Sequence, residues 1–219
     1  MSTKKKALIL YGGWEGHQPE QLADFYSRSL TRRGFEVTSV NDLGFLDQDG
    51  ILQNYDILLP FWTMGDLAED REDALVAAIS GGMGVLGIHC SADAFRWATD
   101  YQLALGGQFV WHPEEDVTYE VRFRAGAGPL VDGLDDFSVT GEQYHVHVDP
   151  TVTVLATHRM ALGPASGEEM PTAWIKQFGL GRVFYLSVGH YLAEHRIPQV
   201  EELVGRAVEW VTRSESNPG

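Results

Sequence analysis

Cysteine, positive charge and long apolar runs are all scarce in this chain of 219 residues. A single cysteine, Cys90, leaves no intrachain disulfide to staple the fold. Sixteen basic residues stand against 31 acidic ones, and the net charge of -15 repels phosphate backbones and anionic lipid. Neither nucleic acid nor a membrane is therefore an expected partner. No apolar run approaches the roughly 20 residues that span a bilayer. The short strand after Met1-Ser-Thr-Lys-Lys-Lys6 is too brief for a signal-peptide core, so a cytoplasmic location is expected. Repeats and low-complexity tracts are also missing, and only Ser214 to Gly219 reads as a frayed tail. What remains is 44% hydrophobic with six tryptophans, enough to bury a core in one domain over residues 6–213.

The pattern of elements predicts an α/β protein with a doubly wound, mostly parallel sheet. Lys6 to Tyr11 is an apolar run ending at Gly12-Gly13-Trp14, as suits a central strand. A helix follows from about Pro19, with Leu22, Phe25, Tyr26 and Leu30 at helical spacing and Gly34 at its end. Further strands are expected at 35–40, 55–60 and 85–88, with a helix over 69–80 closed by Gly81-Gly82. The fourth strand runs into Gly87-Ile-His89-Cys90, where a helix should begin. Beyond Trp97 the chain is β-rich: strands are expected at 117–123, 151–156, 171–177 and 182–188, with a tight hairpin at Gly179-Leu-Gly181. Residues 197–213 return to an amphipathic helix. In open α/β sheets, chemistry collects where strands end at their carboxyl edge. His89, the loop after Gly106-Gly107 and the loop 142–149 are thus the places to look.

Three separated signatures carry a resemblance. They are Gly87-Ile-His89 with Ala92-Asp-Ala-Phe95, then Gly106-Gly107-Gln-Phe109-Val-Trp-His112-Pro113, then Pro171-Thr-Ala-Trp174 leading to Gly181-Arg182-Val-Phe-Tyr185 and Gly189-His190. In this order they resemble the ThuA-like (trehalose-utilisation) family across about residues 6–213. The resemblance implies a class I glutamine amidotransferase-like, flavodoxin-related fold and a role in carbohydrate use. It also implies keto-sugar intermediates supplied by a partner sugar dehydrogenase, and a homodimer. Glu142-Gln-Tyr144 is similar to the family's acidic-x-aromatic motif. Class I amidotransferases place a nucleophilic cysteine at a strained strand-to-helix elbow. Here His89 stands at that point with Cys90 one position late, so an active glutamine amidotransferase is not expected.

Several side chains are candidates for chemistry. His89 could serve as a base, bond a sugar hydroxyl, bind a metal, or be an ordinary core histidine. His112 follows a Gly-Gly loop and is stiffened by Pro113. His190 follows a strand and a glycine, so it could pair with Cys90 as a dyad or join His89 and His112 around a metal, with Glu194 orienting it. Glu142 could add the carboxylate of a mixed site or act as general base. His145 and His147 share a strand face, a spacing that metal sites use and that chance also supplies. A helix N-terminus would lower the pKa of Cys90, although lone buried cysteines are usually apolar fillers. Trp14, Trp62, Trp111 and Trp174, with Tyr144, offer flat faces to a pyranose.

The expected catalytic set is His89, His190, Glu142 and, in a thiol alternative, Cys90. The expected metal set is His89, His112 and Glu142, holding zinc or manganese. No dinucleotide fingerprint is present, so a nucleotide cofactor is not expected. The leading reading is an enzyme acting on a disaccharide or keto-sugar, by metal-assisted proton transfer or cleavage. A non-catalytic sugar-binding or scaffolding protein and a Cys90/His190 hydrolase are the alternatives.

Overall fold

The structure, a computed structural model, describes residues 4–212; the expected tail at 214–219 lies outside them. The first half alternates as its apolar pattern predicts. Strand β1 (Lys6–Gly12) leads to helix α1 (Pro19–Arg32) and β2 (Glu36–Val40), then β3 (Ile57–Trp62), α2 (Glu69–Ser80) and β4 (Gly84–Ile88). Pro19 opens α1 where a missing N–H costs nothing, and Gly34, at φ +89°, lets the chain turn away after it. Next come α3 (Thr99–Leu105), β5 (Gly107–Trp111), β6 (Val117–Phe123), β7 (Phe137–Gly141), β8 (His145–Val148), β9 (Thr153–Arg159), β10 (Glu169–Phe178), β11 (Gly181–Leu186) and α4 (Pro198–Val211).

One nine-stranded sheet runs in the order β2-β1-β3-β4-β11-β10-β9-β6-β7. The strands from β2 to β11 pair in parallel, and those from β11 to β7 pair antiparallel. The sheet is thus mixed, with a parallel core and an antiparallel flank formed by the β-rich second half. Strand β11 returns across the molecule to lie beside β4, joined to β10 by the expected two-residue turn at Gly179-Leu180. Strands β5 and β8 form a separate ribbon.

Period-two alternation divides the core. Ala7 and Ile9 of β1, and Leu86 and Ile88 of β4, face one side, packed with Leu22 and Leu30 of α1 and Leu203 and Val208 of α4. Leu8, Leu10 and Val85 face the other side, against Leu75 of α2, Leu105 of α3 and Trp174. Gly87 is the exception in β4, because a Cβ there would sit 2.8 Å from Leu105 Cδ1. Among the described residues, no helix is long and apolar enough to cross a membrane.

No α-helix starts at His89. The chain makes one 3-10 turn, His89–Ala92, and then Ala94 forms a parallel bridge with Met64 that holds the backbone out of helical form. The α-helix begins only at Thr99.

Candidate active site and metal centre

Four loops meet over the carboxyl ends of the parallel strands. His17 closes a 3-10 turn after β1, His89 directly follows β4, and His190 follows β11. Glu142 follows β7, from which the chain turns back over the sheet. Gly141 permits this return, since a Cβ there would overlap the Glu194 carboxylate. His17, His89, Glu142 and His190 are all buried, and one donor atom from each lies within 4.8 Å of the others.

The hydrogen bonds define how these donors are aimed. The carbonyl of Ser187 can only accept, so His89 Nδ1–H donates to it at 2.7 Å. In a neutral ring that leaves His89 Nε2 as a lone pair, 3.1 Å from Glu142 Oε2. Two acceptors face each other unless a proton or a metal cation lies between them. Burial pushes the His89 imidazole down to about 3, so it resists the proton. His17 Nδ1 is engaged by Thr63 Oγ1 at 2.6 Å, while its Nε2 is buried, without a hydrogen-bond partner, and 3.6 Å from Glu142 Oε2. His190 Nδ1 is also unpartnered, 3.1 Å from the same oxygen. The three imidazoles stand nearly perpendicular to one another, at 80–89°. Burial alone would raise the Glu142 carboxyl, but the histidines His17, His190 and His89 outweigh it and hold the group well below the usual carboxylate range.

This donor set fits a divalent cation. Buried polar atoms without partners are rare, and imidazole nitrogens with a carboxylate are what zinc and manganese accept. Thr63 and Ser187 supply the outer contacts that fix ring orientation in metal sites. Tyr144 stacks on His89 with centroids 4.0 Å apart. Glu194 acts on the backbone of the His190 loop, accepting from the N–H groups of Gly189 at 2.8 Å and His190 at 3.1 Å. The expected orienting of His190 by Glu194 thus runs through the backbone, with no hydrogen bond between Glu194 and the ring.

Backbone strain gathers here as well. The non-glycine residues with positive φ among those described are Gln18, Met64, His89 and Phe95, at 56° or less. Each adjoins the site: Gln18 follows His17, His89 is the elbow itself, and Met64 and Phe95 are joined across the bridge. Such conformations cost roughly 1–3 kcal/mol each and persist where the surroundings enforce them.

A cavity of about 270 Å³ opens beside the cluster, lined by residues that include Trp14, Asp93, Arg96, His112, Glu142 and Tyr144. His112 is outside the four-residue cluster, although its Nε2 lies 3.5 Å from Glu142 Oε1. Its Nδ1–H donates to Pro113 O at 2.5 Å, so Nε2 keeps a lone pair. The donor cluster brings His17 and His190 beside His89 and Glu142 and leaves His112 just outside; of these, His190 was already read as a partner of His89 and His17 was not. Glycine-rich residues 12–16 marked a loop at a strand end, which is the signal by which His17 could have been found.

The other expected residues fall elsewhere. Cys90 points into the core on the α1 and α4 side, and burial pushes its thiol up to about 12. With one 3-10 turn behind it, no helix dipole offsets that burial, so the expected lowering of its pKa is reversed. Trp174 is fully buried, stacked on Tyr185 and bonded to Leu105 O, so it cannot meet a sugar. Trp62 packs against Gly12 and Phe95, and Trp111 lines a separate surface hollow with Glu114 and Glu115. Only Trp14 and Tyr144 of the aromatic set line the cavity, and Trp14 is half exposed. His145 and His147 lie on the β5–β8 ribbon, away from the cluster.

Comparison with solved structures shows the fold. A ThuA-like protein from Bacteroides uniformis is 22% identical with a TM-score of 0.75, covering 94% of this chain and 91% of its own. A second, from Parabacteroides merdae, is 17% identical with a TM-score of 0.77, over 96% and 90%. A cold-adapted β-galactosidase from Rahnella sp. R3 is 17% identical with a TM-score of 0.65, and 99% of this chain aligns with 32% of that one. Among curated proteins, none matches the sequence. Residues 6–211 match the family described as ThuA, trehalose utilisation, and the chain belongs to that family.

Proposed function

We propose that this protein is a divalent-metal-dependent enzyme that moves a proton beside the carbonyl of a keto-sugar. The observation that carries the reading is the convergence of three buried imidazole nitrogens and Glu142 next to a cavity. Cavities for small molecules usually span roughly 300–1,000 Å³, so this one takes about a single sugar ring and leaves a second ring at the mouth by Trp14. Bound at the cluster, zinc or manganese would supply Lewis-acid polarisation of the carbonyl. His112 is the base, because Pro113 fixes its tautomer and leaves Nε2 free on the cavity wall. It takes the proton from the carbon beside the carbonyl, and the C–H electron pair becomes a C=C bond of an enolate. Return of a proton at the neighbouring carbon isomerises the sugar; where a glycosidic oxygen sits on the next carbon, the same pair expels it as the leaving group. A partner dehydrogenase in the cytoplasm would supply the keto group.

The test is elemental analysis of the purified protein, with deuterium exchange into a keto-disaccharide followed by NMR. We expect about one metal per chain, lost in His17→Ala, and exchange that requires it. His112→Ala should keep the metal and lose exchange by about 10²–10⁴-fold. Protein that neither carries nor takes up a metal would sink the proposal, and metal-loaded protein that binds sugar without exchange would make it a binding protein.

A further inference from the structure

We infer that Asp93 selects a neutral, hydroxyl-rich substrate for this cavity and turns away phosphorylated or carboxylated sugars. The inference rests on the carbohydrate reading above and names the class of sugar. Asp93 lines the cavity with only 6% of its surface exposed. Its Oδ1 accepts from Arg96 Nη1 at 3.0 Å, and no hydrogen bond from a described residue reaches Oδ2. A carboxylate oxygen held this way is an acceptor for sugar hydroxyls, which donate hydrogen bonds that no phosphate dianion can offer.

Arg96 is the one lysine or arginine among the lining residues, and two of its five N–H donors already hold protein oxygens. Nη1 is on Asp93, Nη2 donates to Phe109 O at 3.2 Å, and the guanidinium lies 5.3 Å over the Phe109 ring. With one protein acceptor on each Nη, the fork is partly spent on holding Asp93 and the Phe109 backbone before any ligand arrives, which weakens a bidentate grip on an anion. Asp93 is the carboxylate of this space that lies outside the four-residue donor cluster, and Glu142 is the one inside it.

The position is also rigid. Asp93 O accepts from Met64 N at 3.1 Å, and Phe95 N donates back to Met64 O at 3.0 Å. The left-handed backbones of Met64 and Phe95 lie on either side of this clamp, a cost that makes sense where the carboxylate must not drift. Burial raises the Asp93 carboxyl, opposed by Arg96, so hydroxyl donors replace solvation that the folded protein withholds.

Calorimetric titration of the metal-loaded protein with glucose, trehalose, glucose 6-phosphate and glucuronate tests the inference, with metal content measured on every variant. We expect the neutral sugars to bind at least about tenfold more tightly than the charged pair. Asp93→Ala should lose about tenfold or more in neutral-sugar affinity, and Asp93→Asn, close to isosteric, should narrow the gap between neutral and charged sugars, both with metal retained. Charged sugars binding as tightly as neutral ones, or an unchanged gap in Asp93→Asn, would overturn the role of Asp93 alone. Binding of none of the four would overturn this inference, and failure of a keto-disaccharide to bind as well would remove the carbohydrate reading with it.

Discussion

Two groups of histidines are equally buried and differ in how their nitrogens end. His158 and His195 lie in the core, 2% and 1% exposed, and both ring nitrogens of each are engaged. His195 Nε2–H donates to Gly189 O at 3.0 Å, and Tyr26 Oη–H donates to its Nδ1 at 2.8 Å. His158 meets Thr172 Oγ1 at 2.8 Å and the Met160 sulfur at 3.3 Å. In the carboxyl-edge cluster, His17 and His190 each keep one buried nitrogen without a partner, and His89 faces a carboxylate with a lone pair. Burial alone therefore does not separate the two groups; the unsatisfied nitrogens do. The groove of about 510 Å³ between α1 and α4 makes the same point, because Tyr26 and His195 at its wall satisfy each other.

The widest separation of the two groups should come from Glu142→Ala. It removes the single group that all three clustered imidazoles approach, so metal affinity should fall by at least about a hundredfold, as measured by equilibrium dialysis and elemental analysis. A variant that keeps its metal would show that the imidazoles alone make the site.

Acid should break both groups at once in chelated protein. Burial pushes His158 and His195 down to about 4 and His89 to about 3, all below the unfolded value near 6.5. The unfolded chain therefore binds more protons as pH falls. The stability these residues contribute is complete above about 6.5 and is lost as pH falls toward 4, at roughly 3 kcal/mol for each core histidine. Urea midpoints measured from pH 7 to 4 should decline over that window, and His158→Leu should flatten the decline.

The opposite dissociation belongs to His158→Ala. Thr172 loses its buried partner and a cavity opens, at about 2–4 kcal/mol, or about 5–10 °C in Tm for a chain of this size. Metal content should not change. Loss of metal here would mean that the flank and the site share one cooperative network, through Tyr119, which touches His158 and donates to Glu142 O.

How much of this was legible in the sequence follows the same physical line. Continuous apolar runs such as Lys6 to Tyr11 and Gly84 to Ile88 mark strands buried on both faces, and α2 has the expected bounds. His89, His190 and Glu142 were visible because each follows a strand or a glycine turn. His17 carries the same signal, a glycine-rich loop at a strand end, but was passed over because only the folded sheet brings that loop beside His190. Strands β5 and β7 were missed because each is only five residues long, β8 was read only as the shared face of His145 and His147, and the placement of β11 beside β4 depends on contacts far apart in sequence. Asp93 read only as part of a motif, since its use depends on what Arg96 and Met64 do to it.

The smallest effect should come from the residue with the most suggestive chemistry. Cys90 follows the elbow where a thiol nucleophile would stand, yet its side chain belongs to the same apolar layer as Leu186 and Val188. With the thiol pushed up to about 12, almost no thiolate exists at pH 8, and thiolate is the reactive form. Native protein should resist iodoacetamide at that pH, while unfolded protein reacts. Cys90→Ala should change sugar turnover by less than about twofold and cost about 1 kcal/mol for the lost packing. Rapid labelling of native protein, blocked by a bound sugar, would place the sulfur in the cavity and return the elbow to thiol chemistry.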